Sequence, residues 1–163
     1  MFKHIPVIWD NSYKSLNYKK EQFKDLSQLN QWLDLGYDKE SLTIDTYDYP
    51  SPMPSWTDDV LKNFSHLHNI GLSFHRLRPG HYLPEHLDLY TLYKSKFSVK
   101  LENIERIVLF LENGKSGQYN TVGSIVYNNW TAGSYICWKG SEKHSAVNIS
   151  TENRHVLIIT GHQ

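Results

Sequence analysis

A single cysteine, Cys137, is all the thiol chemistry that this 163-residue chain contains. One thiol excludes an intrachain disulfide framework and any zinc site built from several cysteines. Surplus charge is missing too, since 17 Lys plus Arg against 17 Asp plus Glu leave a formal net charge of +0. A chain without a global positive field is not built to coat DNA or RNA, although local basic patches stay open. No run approaches the roughly 18 apolar residues of a membrane span. The apolar opening, Ile5 to Trp9, is broken by Asp10 and followed by lysines, so it does not read as a secretory signal and a cytoplasmic protein is expected. Linkers, internal repeats and low-complexity tracts are absent, and so is any Walker or dinucleotide fingerprint.

What is present is a core and an excess of imidazole. Hydrophobic residues make up 39% and aromatic residues 13% of the chain, enough to argue against disorder and for one domain with its own core. Nine histidines stand against the one cysteine. A metal site in this protein must therefore use nitrogen and oxygen ligands.

The periodicity divides the chain near residue 70. Before it, Glu21 to Leu35 places Phe23, Leu26, Leu29, Trp32 and Leu33 at helical spacing, with Gly36 as the stop. Glu40 to Tyr47 alternates as a strand does. Tyr49 to Ser55 carries three prolines and reads as an extended loop, a candidate lid. Ser55, with Asp58 three residues on, predicts the cap of a second helix whose apolar side is Val60, Leu61 and Phe64. Beyond Ile70 the helical signal gives way to short strand-like runs: Gly71 to Leu77, His81 to Asp88, Glu105 to Leu111, Gln118 to Val122, Ser124 to Asn129, Gly133 to Trp138, His144 to Ile149 and Arg154 to Thr160. That regular spacing predicts a mainly β (α+β) domain, a jelly-roll-like sandwich over residues 70–161 with the helices of residues 1–69 packed on one sheet.

Chemistry concentrates in the segment Arg78 to Asp88, RPGHYLPEHLD. Residues two apart on a strand share a face, so His86 and Asp88 can meet one ion. His144, at the start of a later run, supplies a third ligand. Two histidines and a carboxylate form the facial triad of non-haem Fe(II) sites, which leaves three positions open for a bidentate 2-oxo acid and dioxygen. Arg154 follows His144 by ten residues, on a strand expected to neighbour that of His144. Its guanidinium stays charged and grips a carboxylate through paired hydrogen bonds.

Taken together, His86-Leu87-Asp88, His144 and Arg154 resemble the motif of the Fe(II)/2-oxoglutarate-dependent oxygenase superfamily, over about Ile70 to Gly161. Within it the chain is most similar to small prolyl-hydroxylase-like members of bacteria and phages. The resemblance implies a double-stranded β-helix (jelly roll, cupin-like), with His86, Asp88 and His144 as iron ligands and catalytic residues. It implies Arg154 as the 2-oxoglutarate-binding residue, O2 as oxidant and ascorbate as reductant. The tyrosine that assists 2-oxoglutarate binding in prolyl hydroxylases has Tyr82 as first candidate, with Tyr93 and Tyr127 competing. The implied reaction hydroxylates a C–H bond and releases succinate and CO2, and the presence of Asp88 argues against halogenation. Two departures stand out. Arg154 is followed by His155 and Val156 instead of an Arg-x-Ser pair. Aspartyl/asparaginyl β-hydroxylases, relatives with a similar tail, lack the metal-binding aspartate found here at Asp88.

Other residues carry weaker expectations. His75 and His81 are near enough to line the pocket, Trp138 lies close to its mouth, and Tyr90, Tyr93 and Lys94 form a loop over it. Alternation turns His155 away from the site. His66 and His68 read as capping or exposed, and Cys137 as an apolar filler. The expected substrate is a protein side chain such as proline; a free amino acid or other small metabolite comes next and nucleic acid last. A non-redox cupin-like metal- or ligand-binding module is the rival reading, and a monomer or weak dimer is expected.

Overall fold

The computed structural model describes residues 1–163. Two antiparallel sheets face each other. The larger contains β1 (Lys3–His4), β2 (Lys19–Gln22), β3 (Thr43–Asp48), β4 (His68–Leu77), β6 (Ile104–Phe110), β9 (Ser134–Lys139) and β11 (Arg154–His162), in the order β1-β9-β6-β11-β4-β3-β2. The smaller contains β5 (His81–His86), β7 (Gln118–Val122), β8 (Ile125–Tyr127) and β10 (His144–Asn148), in the order β5-β10-β7-β8. This is the jelly-roll sandwich predicted from the spacing of the runs, and the double-stranded β-helix that the resemblance implied. No helix is long and apolar enough to cross a membrane.

The central strands are buried on both faces, and this is why β6 and β11 read as continuous apolar runs. Along β11, Leu157 and Ile159 face outward, packing with Phe74, Ile107 and Leu109 under Val60 and Phe64 of the N-terminal half. Val156 and Ile158 face inward, against Val108, Phe110, Trp130 and Trp138. Strand alternation puts Arg154 on that inner face and His155 on the outer one, where His155 Nδ1 lies 3.0 Å from Glu112 Oε1. Leu157 is fully buried at the centre of the larger sheet. Leu157→Ala is expected to lower stability by about 3 kcal/mol, read as a lower urea midpoint, because the packed neighbours cannot close on the lost volume.

Several local expectations shift. The first helix, α1, covers only Leu26–Asp34, since Asp25 caps it by accepting from the backbone N–H groups of Ser27 and Gln28. Glu21 and Gln22 belong instead to β2, and β3 begins after a short 3-10 turn. Ser55 does not cap the second helix, α2 (Thr57–Leu61), which has no side-chain cap; the turn enters through Thr57 Oγ1, which donates to Pro54 O at 2.5 Å. The loop after Asp88 contains a helix, α3 (Thr91–Phe97), bounded by Tyr90 and Ser98 in left-handed conformation. None of its side chains is buried, so it lacks the apolar stripe by which helices are read from sequence.

Candidate metal and co-substrate site

β5 and β10 are adjacent, and their register sets His86 directly opposite His144 across an irregularity that follows His144. Strand β5 ends at His86, so Asp88 is not on the strand with it. The chain turns back, and Asp88 reaches the same point from the loop. Its Oδ1 lies 3.9 Å from His86 Nε2 and its Oδ2 lies 3.5 Å from His144 Nε2. One ligand atom from each of the three residues falls within 4.8 Å of the others.

The donor set is prepared for a divalent ion. His86 Nδ1 donates to Pro84 O at 2.7 Å and His144 Nδ1 donates to Glu142 O at 2.8 Å. These bonds fix the tautomer that leaves each Nε2 lone pair free, the usual outer support of a metal-binding imidazole. Burial, reinforced by the neighbouring His144, lowers the His86 pKa to about 4, and burial lowers that of His144 as well. Burial pushes the Asp88 carboxyl up, but Arg106 first and then the two histidines outweigh it and hold Asp88 well below the usual carboxylate range. Two neutral imidazoles and one carboxylate therefore converge, and these residues fit an octahedral ion bound on one face.

Helix α1 fastens the segment from behind. Gln28 Oε1 accepts from Leu87 N at 3.0 Å, and its Nε2 donates to Leu87 O at 3.0 Å. The rings of Phe23 and Trp32 meet the His86 ring edge-on, with centroids 4.9 and 5.9 Å away. Trp138 lies against His144 at 4.6 Å.

The triad opens into a cavity of about 580 Å³ that also contains Arg154, Asn120 and Arg106. Arg154 arrives from the opposite sheet, since β11 pairs with β4 and β6, not with β10. The expected neighbouring strands are thus facing strands, and this puts Arg154 in the interior cavity that His86 and His144 line from the other sheet. Arg154 is 3% exposed. It donates from Nη2 to Asn120 and lies over the Phe110 and Trp130 rings at 5.7 and 5.3 Å, while its buried Nε has no partner. No carboxylate neutralises it, and burial alone pulls its pKa down.

The remaining candidates divide. His75 lines the cavity, whereas His81 binds Thr43 through Nδ1 and serves the fold. Tyr90 and Tyr93 line the cavity mouth, but Lys94 does not. Tyr82 is not brought to the site: Leu83 takes the inward position, and alternation turns Tyr82 to the other face, against Tyr37 at 5.8 Å. Tyr127 packs on Phe2 at 5.2 Å instead. The Pro-rich loop contributes nothing to the lining between Asp48 and Ser73. Sequence reasoning missed Gln28, Arg106 and Asn120. Arg106 did leave a signal, as the one basic residue within a mostly apolar strand, in phase with Val108 and Phe110.

Residues 43–162, from β3 to β11, match the family profile described as aspartyl/asparaginyl beta-hydroxylase. The chain belongs to this family. It thereby falls within the 2-oxoglutarate oxygenase-like superfamily, in a branch of hydroxylases. No curated protein shows significant sequence similarity. Among solved structures, a prolyl-4-hydroxylase from Pseudomonas putida is similar in fold, with a TM-score of 0.58, 12% identity, and coverage of 94% of this chain and 96% of that one. A protein described as a putative sugar phosphate isomerase from Acidithiobacillus ferrooxidans has a TM-score of 0.52 at 14% identity, covering 96% of this chain and 76% of its own. At these identities both show the fold alone. The prolyl-hydroxylase likeness is thus one of architecture, while the sequence family is the aspartyl/asparaginyl one, and this chain carries an aspartate at position 88.

Proposed function

We propose that this protein is an Fe(II)- and 2-oxoglutarate-dependent hydroxylase. His86, Asp88 and His144 hold the iron, and Arg154 holds the far carboxylate of 2-oxoglutarate. The observation that carries this reading is Arg154 itself, a buried guanidinium that no carboxylate pairs, in the same cavity as the triad. An unpaired buried charge is costly, and a dicarboxylate spanning from the ion to Arg154 would neutralise both cations at once. When bound, ferrous iron, 2-oxoglutarate and O2 together supply the chemistry that replaces C–H by C–OH and releases succinate and CO2. The residues of this chain orient those reactants: the backbone-held imidazoles present Nε2, Asn120 aims the guanidinium, and Trp138, Val156 and Ile158 keep the interior apolar.

Family membership favours a protein side chain as the primary substrate, aspartyl or asparaginyl first and prolyl second. Ascorbate is the external reductant expected to keep the iron ferrous. The binding half of the proposal is tested by anaerobic thermal melts with Mn(II) in place of iron. A ligand at a hundred times its Kd adds about 2.7 kcal/mol, a rise of roughly 5–10 °C for a domain of this size. The expected result is a rise with metal and a further rise with 2-oxoglutarate only when metal is present. A response to metal alone would point to a non-redox binding module and sink the co-substrate assignment.

A further inference from the structure

Arg106 occupies an unusual place in this cavity. It stands on β6 between β9 and β11, with Trp138 and Thr160 as its cross-strand partners. Its Nη2 donates to Asp88 Oδ2 at 2.9 Å and its Nε donates to the Tyr90 hydroxyl at 3.3 Å, with the Tyr90 ring 5.0 Å from the guanidinium carbon. Burial works against the Arg106 charge, but Asp88 and Tyr90 more than restore it. Tyr90 reaches this position through a left-handed backbone, φ 50° and ψ 30°, which a tyrosine adopts only where its surroundings enforce it.

A carboxylate beside a divalent ion can bind through one oxygen or both. A facial triad keeps three positions open only if Asp88 uses one; binding through both would take a position that a bidentate 2-oxo acid and dioxygen require. We propose that Arg106, braced by Tyr90, is a positioning residue that occupies Asp88 Oδ2, confines metal binding to Oδ1, and so preserves the open face for the co-substrate. This inference rests on the metal-site reading above. The fork geometry of guanidinium suits the task, because one edge can hold the carboxylate while Nε is anchored elsewhere. A central strand does not follow small movements of the loop that carries Asp88.

A cation bound to a metal ligand also opposes the metal. Arg106 should therefore weaken metal binding while strengthening co-substrate binding, an opposition that a merely structural arginine would not produce. Co(II) is the probe, since its visible absorption reports coordination number without turnover. Arg106→Leu is expected to bind Co(II) about tenfold more tightly, from the loss of a close like charge. Its Co(II) spectrum without co-substrate should differ from that of the wild type, as Asp88 closes on the ion with both oxygens. Affinity of the Co(II) form for 2-oxoglutarate should fall by about tenfold or more. Tyr90→Phe, which removes only the hydroxyl that holds Nε, should shift both affinities in the same opposed directions by a smaller factor, and it serves if the leucine variant does not fold. If both affinities of these variants move together, or neither moves and only the melting temperature falls, the proposal is overturned while the metal site stands. If wild-type protein takes up no Co(II), the metal-site reading itself falls.

Discussion

Replacing His86 with alanine is expected to abolish metal binding and, with it, succinate production coupled to hydroxylated product. The side chain supplies one of three ligands, and its Nε2 is the atom that Asp88 Oδ1 approaches at 3.9 Å. Loss of an outer hydrogen bond to a metal ligand already costs about 10–100-fold in affinity, so loss of the ligand itself should exceed about a hundredfold. His86 is also packed between Phe23, Trp32 and His144, so alanine leaves a void there. His86→Gln fills more of that space and separates the two effects: both variants should lose Fe(II) in an anaerobic titration, but the glutamine variant should melt closer to the wild type. Unchanged succinate release from either variant at saturating iron would remove His86 from the site.

Arg154→Met should have two effects of opposite sign. In the metal-free protein without co-substrate, Arg154 is a buried cation with an unpartnered Nε and aromatic rings for neighbours. Replacing a buried ion pair by apolar side chains of similar volume is neutral or stabilising by about 1–4 kcal/mol, and Arg154 has no carboxylate partner whose attraction the exchange would lose. Asn120 loses its donor in the exchange, which returns part of that gain, about 1 kcal/mol. The melting temperature of the unliganded protein should therefore rise. Affinity for 2-oxoglutarate should fall by about 3 kcal/mol, roughly a hundredfold, because its far carboxylate would be buried without a cation. Metal affinity should hold, since Arg154 touches none of the three ligands. The order of melting temperatures should then reverse with saturating Mn(II) and 2-oxoglutarate, the wild type rising above the variant. A variant that destabilises the unliganded protein and binds 2-oxoglutarate normally would make Arg154 a structural residue.

The stretches that were legible in the sequence are those whose signal is local. The strand runs stood out because β-strands in this fold are short, separated by turn residues, and apolar where both faces are covered, as in β6 and β11. His155 could be assigned to the outer face by alternation alone, and it lies against Glu112 there. Alternation failed where the strand stopped. Asp88 reaches the two histidines although β5 ends at His86, so the closeness that the i, i+2 rule anticipated arises from the loop and not from the strand. It could not place Tyr82 either, because the choice between the two faces of β5 depends on the irregular register with β10. The α3 helix escaped notice because an element with no buried side chain carries no periodic apolar pattern.

From the chain alone came the candidate ligands and their order along the chain. One cysteine restricted any metal to nitrogen and oxygen donors, and His86, Asp88, His144 and Arg154 could be named from residue type and spacing. Only the tertiary structure decided what surrounds them. Gln28 binds Leu87 across 59 residues of sequence, Asn120 holds Arg154 across 34, and Arg106 meets Asp88 from the opposite sheet. The physical reason is that a hydrogen bond or ion pair between distant segments leaves no periodic trace in either one. It exists only because two sheets closed face to face, sending Arg106 and Arg154 inward from one wall toward the histidines on the other.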